Sequence, residues 1–235
     1  MDIIYCKEID VAQFGKTGTG KIYAALVRIS DVKQRAQEMV VSITNTSWLD
    51  NLDIVSKTSF EASSSRTISR LAEGIFAKVD DTITEEFGEY MVSDTAQSLL
   101  EAKLNHKKFP LAELLKEKVT GNPGFDFHTE TSSQFLAFGE AKYSGSVNPY
   151  SKAIEQILDF IELKKDASEL IVLKPFATPA AINNFLLSKK VFVAAFSVNS
   201  ETPEKIISNL LASAHIDHFL GHEEFYIVGV NVESK

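Results

Sequence analysis

The chain has little of what marks a secreted, membrane-spanning or disulfide-stapled protein. Cys6 is the only cysteine among 235 residues, so no disulfide can form within the chain. No run of about 18 apolar residues occurs, and Met1-Asp2 begins no signal peptide. These absences predict a cytoplasmic protein that has no membrane partner.

An excess of positive charge is also missing. The 24 Lys and Arg residues face 32 Asp and Glu residues, which gives a formal net charge of −8. A chain of this charge does not coat nucleic acid by electrostatic attraction alone. The composition is otherwise ordinary, with 44% hydrophobic and 24% charged residues, and it predicts a globular protein with a substantial core.

The hydrophobic pattern predicts an α/β fold. The predicted helices cover residues 31–41, 67–78, 87–104, 110–118, 151–163, 179–187 and 203–214, with a serine-rich loop at 63–65. The predicted strands cover residues 22–29, 125–128, 135–142, 170–173, 191–198 and 225–232. A hairpin followed by alternating helices and strands predicts a mixed sheet with helices on both faces. We divide the chain into an N-terminal α+β accessory or docking region, residues 1–80, and an α/β domain, residues 81–235.

A phosphate-loop pattern occurs near the N-terminus, where residues 15–21 fit G-x-x-x-x-G-K. A working phosphate loop needs a Ser or Thr after the lysine and a helix that follows the loop. Here Ile22 follows Lys21, and the next segment has the pattern of a strand. We therefore interpret the glycines as a hairpin or a flexible loop without a nucleotide site.

Three charged residues on the predicted hairpin carry the strongest chemical signal. Side chains alternate along a strand, so Glu140 and Lys142 point to one face while Ala141 points to the other. Asp126 precedes Glu140 by 14 residues, and a tight turn can bring the two carboxylates together. Adjacent carboxylates repel unless a cation lies between them, and hard oxygen ligands suit Mg²⁺ or Mn²⁺. With Lys142 to orient a water, this set predicts phosphodiester hydrolysis.

This arrangement of Asp126 and Glu140-x-Lys142, with an apolar strand before the glutamate, resembles the PD-(D/E)XK nuclease superfamily. The resemblance implies a restriction-endonuclease-like mixed sheet with an αβββαβ core, over about residues 86–173, within a nuclease domain. It also implies that Asp126, Glu140 and the Ala141 carbonyl bind the metal and that Lys142 positions the attacking water. Glu89 and Gln156 would assist from the two flanking helices. Gly124-Phe125 replaces the family's proline before the aspartate, a position that varies widely in the family.

A narrower resemblance links residues 122–128 (Asn-Pro-Gly-Phe-Asp-Phe-His) and the Gly-Glu-Ala-Lys segment to HamA, the nuclease subunits of Hachiman anti-phage systems. It implies a DNA endonuclease that works with a large helicase. A stand-alone restriction or repair nuclease, able to act as a homodimer, is one alternative. An inactive interaction subunit that keeps the nuclease fold is another. Glu89 lies among other acidic residues, so a plain surface role stays open for it.

Overall fold

The computed structural model describes residues 1–79, 83–115 and 124–233 of the chain, and within them the strands form one mixed sheet. The strands are β1 (Asp2–Ile9), β2 (Lys21–Ile29), β3 (Lys107–Lys108), β4 (Phe127–Glu130), β5 (Leu136–Lys142), β6 (Val191–Val198) and β7 (Glu224–Val232). Their order across the sheet is β1-β2-β7-β6-β5-β4-β3. The central strands β2, β7, β6 and β5 are parallel, and antiparallel strands complete both edges.

Helices cover both faces of this sheet, which confirms the predicted mixed α/β fold. They are α1 (Val32–Thr44), α2 (Ile54–Ser69), α3 (Glu85–Leu104), α4 (Ala112–Leu115), α5 (Tyr150–Glu162), α6 (Lys165–Leu173), α7 (Pro179–Leu186) and α8 (Pro203–Ala212). A π-helical turn, Arg70–Ile75, follows α2. Apolar side chains of α1 and α3 fill the core on one face of the sheet, and those of α5, α7 and α8 fill the core on the other.

The helix ends follow local sequence signals. Asp31 caps α1 by accepting a hydrogen bond from the Gln34 N–H at 2.8 Å. Thr84 caps α3 in the same way, through the Phe87 N–H at 3.2 Å. Asn105 ends α3 in the left-handed conformation, at φ 55°. The Thr84 cap fixes where α3 begins, and the beginning of α3 carries Glu89, one of the predicted site residues.

Two secondary-structure predictions are wrong. Residues 170–173, predicted as a strand, form the last turn of α6, where Leu173 is buried and Ile171 is 80% exposed. A four-residue apolar run cannot distinguish a strand from one buried helical turn. The last strand of the predicted αβββαβ order is therefore β6. Residues 63–65, predicted as a loop, lie inside α2, and Ser64 is buried.

Two further predictions are met only in part. The helix predicted over residues 67–78 continues α2 and then changes to π-helical and 3-10 turns. The helix predicted over residues 110–118 is seen as α4, and its end lies outside the described residues, as do residues 121–123 of the turn cluster predicted there.

The phosphate-loop lookalike anchors β2 to the segment before β7. The N–H groups of Thr19 and Gly20 both donate to the Leu220 carbonyl, at 3.1 and 2.9 Å. A Cβ on Gly20 would lie 2.0 Å from the His222 carbonyl oxygen, so glycine is required for this close approach. Two of the loop's N–H groups therefore bind a protein carbonyl, and a strand follows the loop; its interpretation as a loop without a nucleotide site stays a prediction.

Residues from both predicted regions contribute to the same sheet, since β2 pairs in parallel with β7 along its whole length. The docking role assigned to residues 1–80 stays a prediction. Among the described residues, no helix is both long enough and apolar enough to span a membrane.

Candidate active site

Asp126 and Glu140 are brought together by the antiparallel pairing of β4 and β5. Phe127 pairs with Gly139, so Asp126 lies one residue further on, opposite Glu140. The Asp126 N–H donates to the Gly139 carbonyl at 2.9 Å, and Asp126 Oδ2 accepts from the Ala141 N–H at 2.8 Å. Backbone hydrogen bonds therefore fix the position of the Asp126 carboxylate beside the strand that carries Glu140.

The close packing of β4 on β5 depends on a glycine beside the site. A Cβ on Gly139 would lie 2.3 Å from the ring of Phe127, far inside van der Waals contact. The Phe127 ring is fully buried and occupies the space that a side chain would need. Gly139 thus sets the separation of the two strands that present Asp126 and Glu140.

Glu140 is a completely buried carboxylate with one unsatisfied oxygen. Its side chain is 0% exposed, and Oε1 accepts a hydrogen bond from Lys142 Nζ at 2.6 Å. Oε2 is equally shielded from water and accepts no hydrogen bond from any residue in the described part of the chain. A buried oxygen in this state is unfavourable unless a proton or a cation reaches it.

The Lys142 ammonium lies at the centre of the cluster. Its Nζ is 2.6 Å from Glu140 Oε1, 3.3 Å from the Ala141 carbonyl oxygen and 3.6 Å from Glu89 Oε1. The structure therefore brings together five of the six site residues predicted from the sequence. They are Asp126, Glu140, Ala141, Lys142 and Glu89. They meet at the carboxyl end of β5, the edge of the sheet where parallel strands present their loops.

The pKa shifts reflect burial first and the excess of negative charge second. Burial raises the pKa of Glu140 well above its ordinary value, and the charge on Asp126 adds to the shift. Burial also raises the pKa of Glu89, although Lys142 opposes that shift. Burial acts to lower the pKa of Lys142, but the neighbouring carboxylates outweigh it and raise that pKa instead. Lys142 therefore stays an ammonium at neutral pH, a donor and a countercharge.

Tyr143 is a residue at the site that the sequence reasoning missed. Its ring lies against Gly88 of α3, where an added Cβ would be only 2.1 Å from Tyr143 Cγ. This contact brings α3 against the end of β5 and so holds Glu89 within reach of Lys142. The available signal was a glycine inside an otherwise helical pattern, next to the predicted glutamate.

The loop after Lys142 is tied to the end of β6. The Ser144 N–H donates to Ser197 Oγ at 2.9 Å, and Ser197 Oγ donates to the Ser144 carbonyl at 3.1 Å. Asn199 Nδ2 also donates to the Ser144 carbonyl, at 2.6 Å. No local sequence pattern predicts this anchoring, because its partners are more than 50 residues apart.

Gln156 is the predicted site residue that the geometry does not join to the others. It lies half-buried on α5, a helix that packs on β5 and β6. Among the described residues it forms no hydrogen bond with Asp126, Glu140 or Lys142. Its role as an assisting residue stays a prediction.

The donor set fits a hard divalent cation. Asp126 and Glu140 offer carboxylate oxygens, Ala141 offers a carbonyl oxygen, and Glu140 Oε2 is a buried oxygen that lacks a hydrogen-bond donor in the described structure. Within the described residues, no group of three His, Cys, Asp or Glu side chains is arranged to hold a metal. A cation here would therefore draw on two carboxylates and one backbone carbonyl, with water and substrate as further ligands, which is typical of Mg²⁺.

In comparisons with known proteins, the chain matches no protein-family model, no curated protein and no solved structure.

Proposed function

We propose that this chain is a metal-dependent endonuclease that hydrolyses DNA phosphodiester bonds at the Asp126, Glu140 and Lys142 cluster. One observation carries the proposal. Glu140 is a fully buried carboxylate that lies beside a second carboxylate, keeps one oxygen without a donor among the described residues, and has an ammonium 2.6 Å from its other oxygen. Two neighbouring buried carboxyl groups that share one ammonium are unfavourable for folding alone and useful for binding a cation.

Each residue has a role that its surroundings support. Asp126, Glu140 and the Ala141 carbonyl would hold Mg²⁺ or Mn²⁺, and the cation supplies a Lewis acid that polarises the scissile phosphate. Lys142, kept protonated by its neighbours, would orient the attacking water and offset negative charge that develops on the phosphate. Glu89, half-exposed and 3.6 Å from Lys142, would help to hold that ammonium in place.

The element order around the site supports the resemblance to the PD-(D/E)XK nucleases. The described chain runs from α3 through β3, the short helix α4, β4 and β5 to α5, and it reaches β6 after two further helices, α6 and α7. The antiparallel pairs β3–β4 and β4–β5, followed by the parallel pair β5–β6, are compatible with an αβββαβ core.

We further propose that the nuclease acts in the cytoplasm with a DNA helicase partner, as an anti-phage effector. The net charge of −8 supports a partner that supplies most of the contacts to the DNA phosphates. Exposed Glu85 in the first turn of α3 adds negative charge near Glu89, which opposes unaided DNA binding.

The proposal is tested by cleavage of supercoiled plasmid with the purified chain in Mg²⁺ or Mn²⁺, alone and with its helicase partner. We expect cleavage by the wild type and a loss of at least 100-fold in Lys142→Ala. Lys152→Ala, an exposed lysine on α5, is the matched control and should cleave as the wild type does. Equal cleavage by wild type and Lys142→Ala would contradict the proposal, and so would an inert wild type in every condition, which would favour the inactive interaction subunit.

A further inference from the structure

The Lys142 ammonium contacts the oxygens that the proposed metal site would use. Its Nζ hydrogen-bonds Glu140 Oε1 at 2.6 Å and the Ala141 carbonyl oxygen at 3.3 Å. Divalent cations bind oxygen ligands at about 2.0–2.6 Å. An ammonium and a divalent cation compete for these oxygens, because two positive charges held this close together repel each other.

From this overlap we propose that Lys142 is a built-in countercation, which stabilises the carboxylate cluster and must leave it when a divalent cation binds. The inference rests on the proposed function and deepens it, because it assigns Lys142 two alternating positions. In one position Nζ neutralises Glu140. In the other it is released towards the open side of the site, where the substrate phosphate arrives.

The charge balance of the cluster explains why both cations have a place. Asp126, Glu140 and Glu89 contribute three carboxyl groups against the single ammonium of Lys142. One ammonium can pair with only part of this set. A divalent cation compensates the charge more completely, and it can also reach Glu140 Oε2, to which no described residue donates.

Glu140 is held in place by its surroundings, whereas the Lys142 side chain has room to move. Glu140 cannot follow the lysine, because its side chain is 0% exposed and β5 is paired with β4 on one side and β6 on the other. The Lys142 side chain is 18% exposed, lies at the end of β5 and has four rotatable side-chain bonds. Rotation about those bonds moves Nζ into solvent without any change of the backbone.

This arrangement links cation loading to catalysis. While Nζ is bound to Glu140, it is not available to a water or a phosphate. With Glu140 and the Ala141 carbonyl holding a divalent cation, the Lys142 ammonium would be free to donate to the substrate. Hydrolysis before the cation is bound is thereby disfavoured. The affinity for the cation is also expected to be lower than the same oxygen ligands would give without Lys142.

The test is Mn²⁺ binding to the intact chain, measured by isothermal titration calorimetry without DNA. In Lys142→Met, which keeps the length of the side chain and removes its charge, we expect Mn²⁺ to bind at least tenfold more tightly than in the wild type. Lys142→Gln should show the same direction and serves if the methionine variant fails to fold. Lys152→Met is the matched control and should leave the affinity unchanged, and Glu140→Gln should abolish binding.

The outcomes separate the inference from the proposed function. If Lys142→Met binds Mn²⁺ as tightly as the wild type or more weakly, Lys142 does not compete with the cation, and only the inference is overturned. If the folded wild type and both Lys142 variants all fail to bind Mn²⁺, the metal site itself is absent, and the proposed function is overturned together with the inference.

Discussion

Two buried clusters of charge on and beside α3 differ in how well each carboxylate is compensated. Asp94, 4% exposed, accepts from Arg35 at one oxygen and from Lys108 Nζ at the other, at 2.5 Å. Glu140, 0% exposed, has Lys142 at one oxygen and no described donor at the other, with a second carboxylate beside it. With the exposed Glu38 beside Arg35, the first cluster has as many cations as carboxyl groups, and the second has fewer.

Under the proposed function, the difference separates a structural cluster from a candidate functional one. At Asp94 both carboxylate oxygens are satisfied within the protein, so this carboxylate can stabilise the packing of α1 on α3. At Glu140 the protein leaves an excess of negative charge and an orphaned oxygen, which an external cation can satisfy. We therefore expect charge balance, and not the number of charged residues, to indicate which buried cluster can bind a ligand.

The largest loss of stability is expected when the balanced cluster at Asp94 is broken. Asp94→Asn leaves Arg35 and Lys108 partly buried without their shared countercharge, so we expect the free energy of unfolding to fall by about 3 kcal/mol. Glu38→Gln removes the other, exposed partner of Arg35 and should cost less than about 1 kcal/mol. Urea unfolding measures both. Equal losses in the two variants would show that the Asp94 cluster is not the stabilising one.

A second prediction concerns His106, which is buried and hydrogen-bonded to Thr129 and Tyr226. Burial lowers the pKa of His106 from 6.5 to about 4. Between pH 4 and pH 6.5, His106 therefore binds a proton in the unfolded chain but not in the folded chain. The free energy of unfolding should fall as the pH falls from 6.5 to 4. The loss approaches about 3 kcal/mol.

Urea unfolding across this pH range checks the effect. His106→Gln should flatten the pH dependence relative to the wild type, although it lowers stability overall. His218→Gln, at an exposed histidine, should leave the pH dependence as it is in the wild type. If all three proteins have the same slope, His106 is not the group that titrates.

A third prediction concerns the contact that holds α3 at the candidate site. Gly88→Ala places a Cβ 2.1 Å from Tyr143 Cγ, so the ring or the helix must shift. We expect a loss of about 1–3 kcal/mol in stability and at least tenfold in plasmid cleavage, since Glu89 moves with the helix. Gly74→Ala has nothing within 4 Å of the new Cβ and is the matched control, neutral or slightly stabilising. Similar behaviour of both variants would mean that the Gly88 contact is not critical.

The smallest expected effect on stability is at the unbalanced cluster. Glu140→Gln removes a buried charge that is only half compensated, so the free energy of unfolding should stay within about 1 kcal/mol of the wild type or rise above it. Cleavage should be lost in the same variant. A large loss of stability would show that Glu140, like Asp94, is held mainly by its internal partners.

The sequence predicted the elements that carry strong periodicity and the residues that neighbouring strands bring together. Helix α3 and strand β5 follow from their apolar patterns, and the pairing of Asp126 with Glu140 follows from strand alternation and a short turn. The run at residues 170–173 was misassigned because four apolar residues fit a strand and a helical turn equally well. Contacts such as Gly88 with Tyr143 join residues far apart in the chain, and no local pattern encodes them.

The most direct test of the central claim, that the unbalanced cluster at the end of β5 is a divalent-cation site, is anomalous diffraction from crystals soaked in Mn²⁺. The claim predicts a manganese peak about 2.0–2.6 Å from carboxylate oxygens of both Asp126 and Glu140 in the wild type, and no peak there in Glu140→Gln. A fully soaked wild-type crystal without manganese at those oxygens, or with the same peak in Glu140→Gln, would contradict it.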